Sequence, residues 1–204
     1  MPRHRTQSIE DASLACLQKA DALSVPVDAV KVAKSLKVSV HQETLEEEVS
    51  GVLLIKGPER HILVNRAHHP NRQRFSIAHE LGHLVLHHKE KDGDRLFVDT
   101  HIKLYQRVGA PSDKAYSEPG SATTPNEERQ ANEFASSLLM PASLLEQAAR
   151  ERDLRDELDV SALATMFAVS EQAMAIRLQQ LQVVNSVLMT EPKRTPAGTL
   201  QKTH

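Results

Sequence analysis

A chain of 204 residues with 25 Lys+Arg against 27 Asp+Glu is long enough for one sizeable domain and carries a net charge of −2, which argues against a function built on a strongly basic, phosphate-neutralising face. The single cysteine, Cys16, rules out an intramolecular disulfide and a cysteine metal cage, and aromatics at 3% with no tryptophan argue against base-stacking platforms. Uninterrupted apolar runs of about five residues fall far short of the ~20 that a membrane span needs, and no apolar segment follows the basic N-terminus, so a soluble, cytoplasmic protein with no membrane partner is expected.

In chain order, "SIEDASLACLQKADAL" places Ile9, Ala12, Cys16, Ala20 and Leu23 at helical spacing, with Ser8 as the expected N-cap. "PVDAVKVAKSLK" reads as a second short helix, with Pro26 at its first position. The period then changes. "VSV", "SGVLLIK" and "RHILVN" are β-rich, and "GPER" is turn material, so a small, mostly antiparallel sheet is expected. Asn71 is the expected N-cap of a helix carrying "RFSIAHELGHLVLHH".

Residues 89–125 are rich in Gly, Pro, Ser and Asp, a long connection that a short helix or strand around "RLFVDTHIKLYQRV" could interrupt. At "TPNEERQANEFASSLLMP", Thr124 as N-cap, Pro125 at the first helical position and Glu127 at the third make a capping box, and Pro141 marks the stop. "PASLLEQAARERDLRDEL" predicts another helix or pair, and "DVSALATMFAVSEQAMAIRLQQLQVV" two helices around Ala168-Val169-Ser170. The polar tail from Glu191 reads as disordered. The expected organisation is α+β, mainly helical: a core over residues 1–150, a helix-turn-helix-like region over 151–188, and a disordered tail over 189–204.

The chemistry concentrates in His79, Glu80 and His83, which spell H-E-x-x-H. Residues four apart on a helix share a face, so both imidazoles can reach one metal ion, while Glu80 can address a water on it. An accidental match on an exposed helix would not be surrounded by Phe75, Ile77, Leu81, Leu84, Val85 and Leu86. Gly82 keeps one flank thin, so that another element can pack closely. A catalytic zinc needs a third protein ligand and an open position. The continuation that would supply a third histidine requires Gly at 86 and His at 89, where this chain has Leu86 and Lys89. The other solution is a glutamate from a later helix. Glu128 shares a mostly apolar, inward face with Ala131, Asn132, Ala135 and Leu139, and an inward carboxylate wants a partner. Glu128 is therefore the candidate ligand and Glu127, already occupied by the capping box, the alternative. Asn132 would hydrogen-bond a ligand imidazole and fix its tautomer.

The motifs "RFSIAHELGHLVLH" and "ERQANEFASSLLMP" together resemble the ImmA/IrrE family of bacterial metallo-endopeptidases, over residues 20–185 or so of the chain. The resemblance implies a compact gluzincin-type peptidase with His79, His83 and Glu128 as ligands and Glu80 as base. It also implies a substrate: a helix-turn-helix repressor, cleaved to release prophage, mobile-element or stress-response genes. The donor set favours Zn2+, with Mn2+ acceptable. A donor for the developing oxyanion is also required; His87, His88, His101, Tyr105 and Tyr116 are candidates, although His87 and His88 read more simply as partly exposed residues at a helix C-terminus, where an imidazolium is favoured.

A second class stays open. "LATMFAVSEQAMAIRLQQL" also fits a DNA-reading helix-turn-helix, so the chain could be a metal-containing regulator that binds DNA or a partner without cutting. The reading helix would carry one base, Arg177, against Glu171, too little for firm phosphate contact, so direct nucleic-acid binding is not expected.

Overall fold

The computed structural model describes residues 3–87, 95–99, 123–150 and 152–182. Among these the chain is α+β, mainly helical with a small, mostly antiparallel sheet. Helix α1 (Arg3–Lys19) buries Ile9, Ser13, Cys16 and Leu17 along one stripe. It begins before Ser8, which is an exposed residue within the helix and not its N-cap; the apolar stripe marks the buried face, not the helix end. Helix α2 (Ala29–Ser35) starts later than Pro26 suggests. Its N-cap is Asp28, whose carboxylate accepts from the Lys31 amide at 2.9 Å, so the side-chain cap and not the proline sets the start.

The sheet has the order β1-β3-β2-β4, with β1 (Ser39–Glu43), β2 (Gly51–Lys56), β3 (Glu59–Asn65) and β4 (Arg95–Asp99). β2 runs antiparallel to both β3 and β4, while β1 joins β3 in parallel. The β2–β3 hairpin turns through Gly57, whose φ of 55° is a left-handed conformation open to glycine, followed by Pro58. Buried Asn65 ends β3 and organises the approach to β2: its Nδ2 donates to the carbonyls of Leu45, Glu46 and Val49, and its backbone N–H donates to Ser50.

Helix α3 (Pro70–His87) lies against the sheet and is buried on all sides from Phe75 to Leu84. Asn71 is not its cap. The helix begins at Pro70, whose missing N–H costs nothing at a helix start, and His69 Nδ1 accepts from the Asn71 amide. Helix α4 (Pro125–Leu139) has the capping box its sequence predicts, with both reciprocal bonds present. It packs closely across α3, because Gly82 sits on α4: a Cβ there would meet the Cα and the carbonyl oxygen of Ala131 at 3.0 Å each.

Helix α5 (Ala142–Ala149) follows Pro141, and α6 (Glu157–Phe167) and α7 (Glu171–Gln180) are joined through Ala168, in the left-handed region, and the cap Ser170. Two sets of bonds attach this helical pair to the rest. Asn71 and Arg74 of α3 donate to the carbonyls of Val169 and Phe167. Arg177, only 2% exposed, forks onto Glu10 of α1 at 2.5 and 3.0 Å and donates through Nε to the Met140 carbonyl at the end of α4. Ser137 of α4 adds a hydroxyl to the same Glu10 carboxylate. The one basic side chain of α7 thus points into the protein. No helix among the described residues is long and apolar enough to cross a membrane. The tail from Glu191 lies outside them.

Candidate metal centre

Two neighbouring turns of α3 and the first turn of α4 build the site. His79 and His83 are each 2% exposed, held on one face of a helix that has no solvent-facing side at that height. Their Nε2 atoms lie 3.0 Å apart. Glu128 closes the triangle, with Oε2 at 3.2 Å from His79 Nε2 and Oε1 at 3.2 Å from His83 Nε2. Among the described residues this is the group of His, Cys, Asp or Glu side chains that could hold a metal ion.

The orientation of His79 follows from its neighbours. Its ring stacks on Phe75, centroids 6.4 Å apart, and its Nδ1 lies 3.1 Å from Asn132 Oδ1, one turn beyond Glu128 on α4. An amide oxygen only accepts, so Nδ1 carries the proton and Nε2 of the neutral ring presents a lone pair to Glu128 and His83. Acceptors turned towards one another in a buried site gain by sharing a cation. The spacing suits one: ligands held about 2.0–2.1 Å from a tetrahedral ion would stand roughly 3.3 Å apart. Burial alone would raise the Glu128 carboxyl, but where the imidazoles carry an extra proton in place of a metal, their hydrogen bonds and charge outweigh it and hold the carboxyl far below the ordinary carboxylate range, so positive charge at this point is strongly favoured. The donor set, two imidazoles and a carboxylate, therefore fits a divalent metal.

Glu127 takes no part in the triangle. Its carboxylate accepts from the Thr124 amide at 2.7 Å, so of the two candidate carboxylates Glu128 is the one brought to the histidines. Glu80, 1% exposed, points from α3 toward the head of β2, where a Cβ on Gly51 would lie 3.3 Å from its Oε1. Gly51 did not figure among the residues singled out from the sequence; the only signal for it is a glycine opening a β-rich run.

His87 is the partly exposed residue at a helix C-terminus that its sequence reading describes, and only its charge departs from that reading. It is half-buried, its ring 5.8 Å from that of His83. Burial and then His83 push its pKa down, against a smaller pull upward from Glu127 and Glu128, so the neutral imidazole is favoured over the imidazolium expected at a helix end. His88, His101, Tyr105 and Tyr116 lie outside the described residues.

The family model described as the IrrE N-terminal-like domain, a peptidase family, matches residues 33–108 and 109–179, well over half of the chain. The chain belongs to the IrrE N-terminal-like peptidase family. That match spans the sheet, both site helices and the α6–α7 pair, so the protein carries a metallopeptidase-type domain with His79, His83 and Glu128 gathered inside it. No curated protein matches the chain.

Proposed function

We propose that this family member is a zinc-dependent endopeptidase of the cytoplasm that cleaves a helix-turn-helix-type transcriptional repressor, relieving repression of prophage, mobile-element or stress-response genes. The observation that carries the peptidase reading is the triangle of His79, His83 and Glu128 with a buried carboxylate, Glu80, one residue along the same helix. The repressor as substrate rests on the resemblance of the two motifs. Zinc is the metal that a nitrogen-rich, three-ligand site most often holds, and Mn2+ is the alternative.

His79, His83 and Glu128 would hold the ion, and Asn132 would keep the His79 ring turned so that Nε2 is the ligand atom. When bound, the ion would polarise the scissile carbonyl and make water a better nucleophile. Glu80 would take the proton of the attacking water on a carboxylate oxygen as the new C–O bond forms. It would then deliver that proton to the nitrogen leaving as the C–N bond breaks. Burial of Glu80 keeps competing solvent from its carboxylate.

The alternative, a non-proteolytic regulator that binds DNA through the C-terminal helices, draws no support from α7, whose sole basic side chain is engaged with Glu10. Mixing the purified protein with the repressor encoded beside its gene, with and without metal, tests the proposal. A single cut that requires metal and disappears in Glu80→Gln is expected. Repressor loss that persists in Glu80→Gln would sink the proteolytic reading.

A further inference from the structure

We infer that Gly51 is a positioning residue for Glu80: the missing side chain at the head of β2 provides the seat in which the Glu80 carboxylate lies. The inference rests on the reading of Glu80 as the base. Gly51 is the first residue of an inner strand of the sheet, paired with Val64 on one side and Asp99 on the other. A glycine weakens a strand there, and no turn requires it, since Gly57 is the one described glycine with a positive φ. What does require it is space. A Cβ on Gly51 would stand 3.2 Å from Ser76 Cβ, 3.3 Å from Glu80 Oε1 and 3.6 Å from Glu80 Cγ. Ser76 and Glu80 are one turn apart on α3, so both meet the strand from the same helix face.

An added methyl group must be accommodated by something, and the surroundings decide what moves. The strand is anchored beside the glycine: Arg72 of α3 donates to Ser50 Oγ at 2.8 and 3.2 Å, and the Ser50 carbonyl accepts from Asn65. Ser76 Cβ is attached directly to the backbone of a buried helix and moves only with it. The Glu80 carboxylate stands at the end of a rotatable side chain and is the part that yields. The metal ligands lie on other atoms of α3 and α4, so a change at Gly51 disturbs the carboxylate and leaves the His79–His83–Glu128 triangle in place. A misplacement of the order of 1 Å at a reacting group can cost about 100-fold in rate, and a few tenths of an ångström at Glu80 is enough to be read.

The test uses the full chain loaded with Co2+, whose visible spectrum reports on the groups around the ion. Gly51→Ala, which touches none of the three ligand side chains, is expected to bind Co2+ with an affinity close to that of wild type in a chelator competition. The pH profile of its spectrum is expected to move toward that of Glu80→Gln, and Gly51→Ala/Ser76→Gly, which removes the 3.2 Å contact, to move back toward wild type. A Gly51→Ala profile that superimposes on wild type would overturn the inference. So would a tenfold or greater loss of Co2+ affinity, which would mean the glycine serves general packing of the sheet on α3. Should Gly51→Ala not fold, Gly51→Ala/Glu80→Asp decides: folding regained by shortening the facing side chain supports the seat, and folding not regained overturns it. A wild-type chain that takes up no Co2+ would overturn the metal centre itself and this inference with it, a result distinct from failure of the glycine variant alone.

Discussion

Helix α4 carries a cluster of charged groups at each end, and the two are built on opposite principles. At its C-terminal end, Glu10 and Arg177 complete one another. Both carboxylate oxygens receive guanidinium N–H groups, Ser137 adds a hydroxyl, and the Nε–H goes to the Met140 carbonyl. At its N-terminal end, Glu128 meets two imidazole nitrogens at 3.2 Å each, and one of those rings has its proton turned away toward Asn132. The first cluster is balanced by the chain alone. The second is a set of donors aimed at a common point, balanced best by an ion from outside. Burial and short distances occur in both, so neither separates a structural ion pair from a binding site; what separates them is whether each charge meets its opposite within the chain.

The largest effect should come from unbalancing the complete cluster. Arg177→Ala removes a buried guanidinium and leaves Glu10, whose side chain is 20% exposed, without its cation, so the cost should lie toward the lower end of the about 3–5 kcal/mol typical of breaking a buried pair. Urea unfolding should show that loss equally with and without metal, and Glu10→Leu/Arg177→Met should recover much of it. A metal-dependent loss would break the distinction between the two ends. Next comes metal removal. A ligand at 100 times its dissociation constant adds about 2.7 kcal/mol of stability, so a chelator should lower the unfolding temperature of wild type and leave His83→Ala unmoved. The smallest effect is expected at Asn132. Its change to Ala should weaken metal binding by roughly 10–100-fold, read by chelator competition, while the metal-free protein unfolds close to wild type.

The same contrast explains what could be read in the sequence. His79, Glu80 and His83 lie within one helix, so their spacing alone gives their common face, and the capping box at Thr124 and Glu127 is equally local. Gly82 was readable as a point of close approach because small residues inside apolar helices have few other uses. Glu128 needed one further step, the inward face it shares with Ala131 and Ala135, both fully buried. Helix starts at Ser8, Pro26 and Asn71 were misplaced, since several residues near each start can cap and local preference chooses weakly among them. The parallel partnership of β1 with β3 and the meeting of Glu10 with Arg177 had no local signature at all. Arg177 in particular reads, on a helical wheel, as an exposed base, and only the distant Glu10 draws it inside.

The meeting of Glu10 and Arg177 also bears on how the chain assembles. One partner lies on α1 and the other on α7, 167 positions later. The helix bearing Glu128 is fastened at its far end to both. Contacts this distant in sequence close late, so the far end of α4 is fastened only once α7 has folded against it. A chain that lacked α7 would leave the Glu10 carboxylate with the Ser137 hydroxyl alone and the Met140 carbonyl without its guanidinium, so the order in which the helices dock decides when the helix carrying Glu128 is held at both ends.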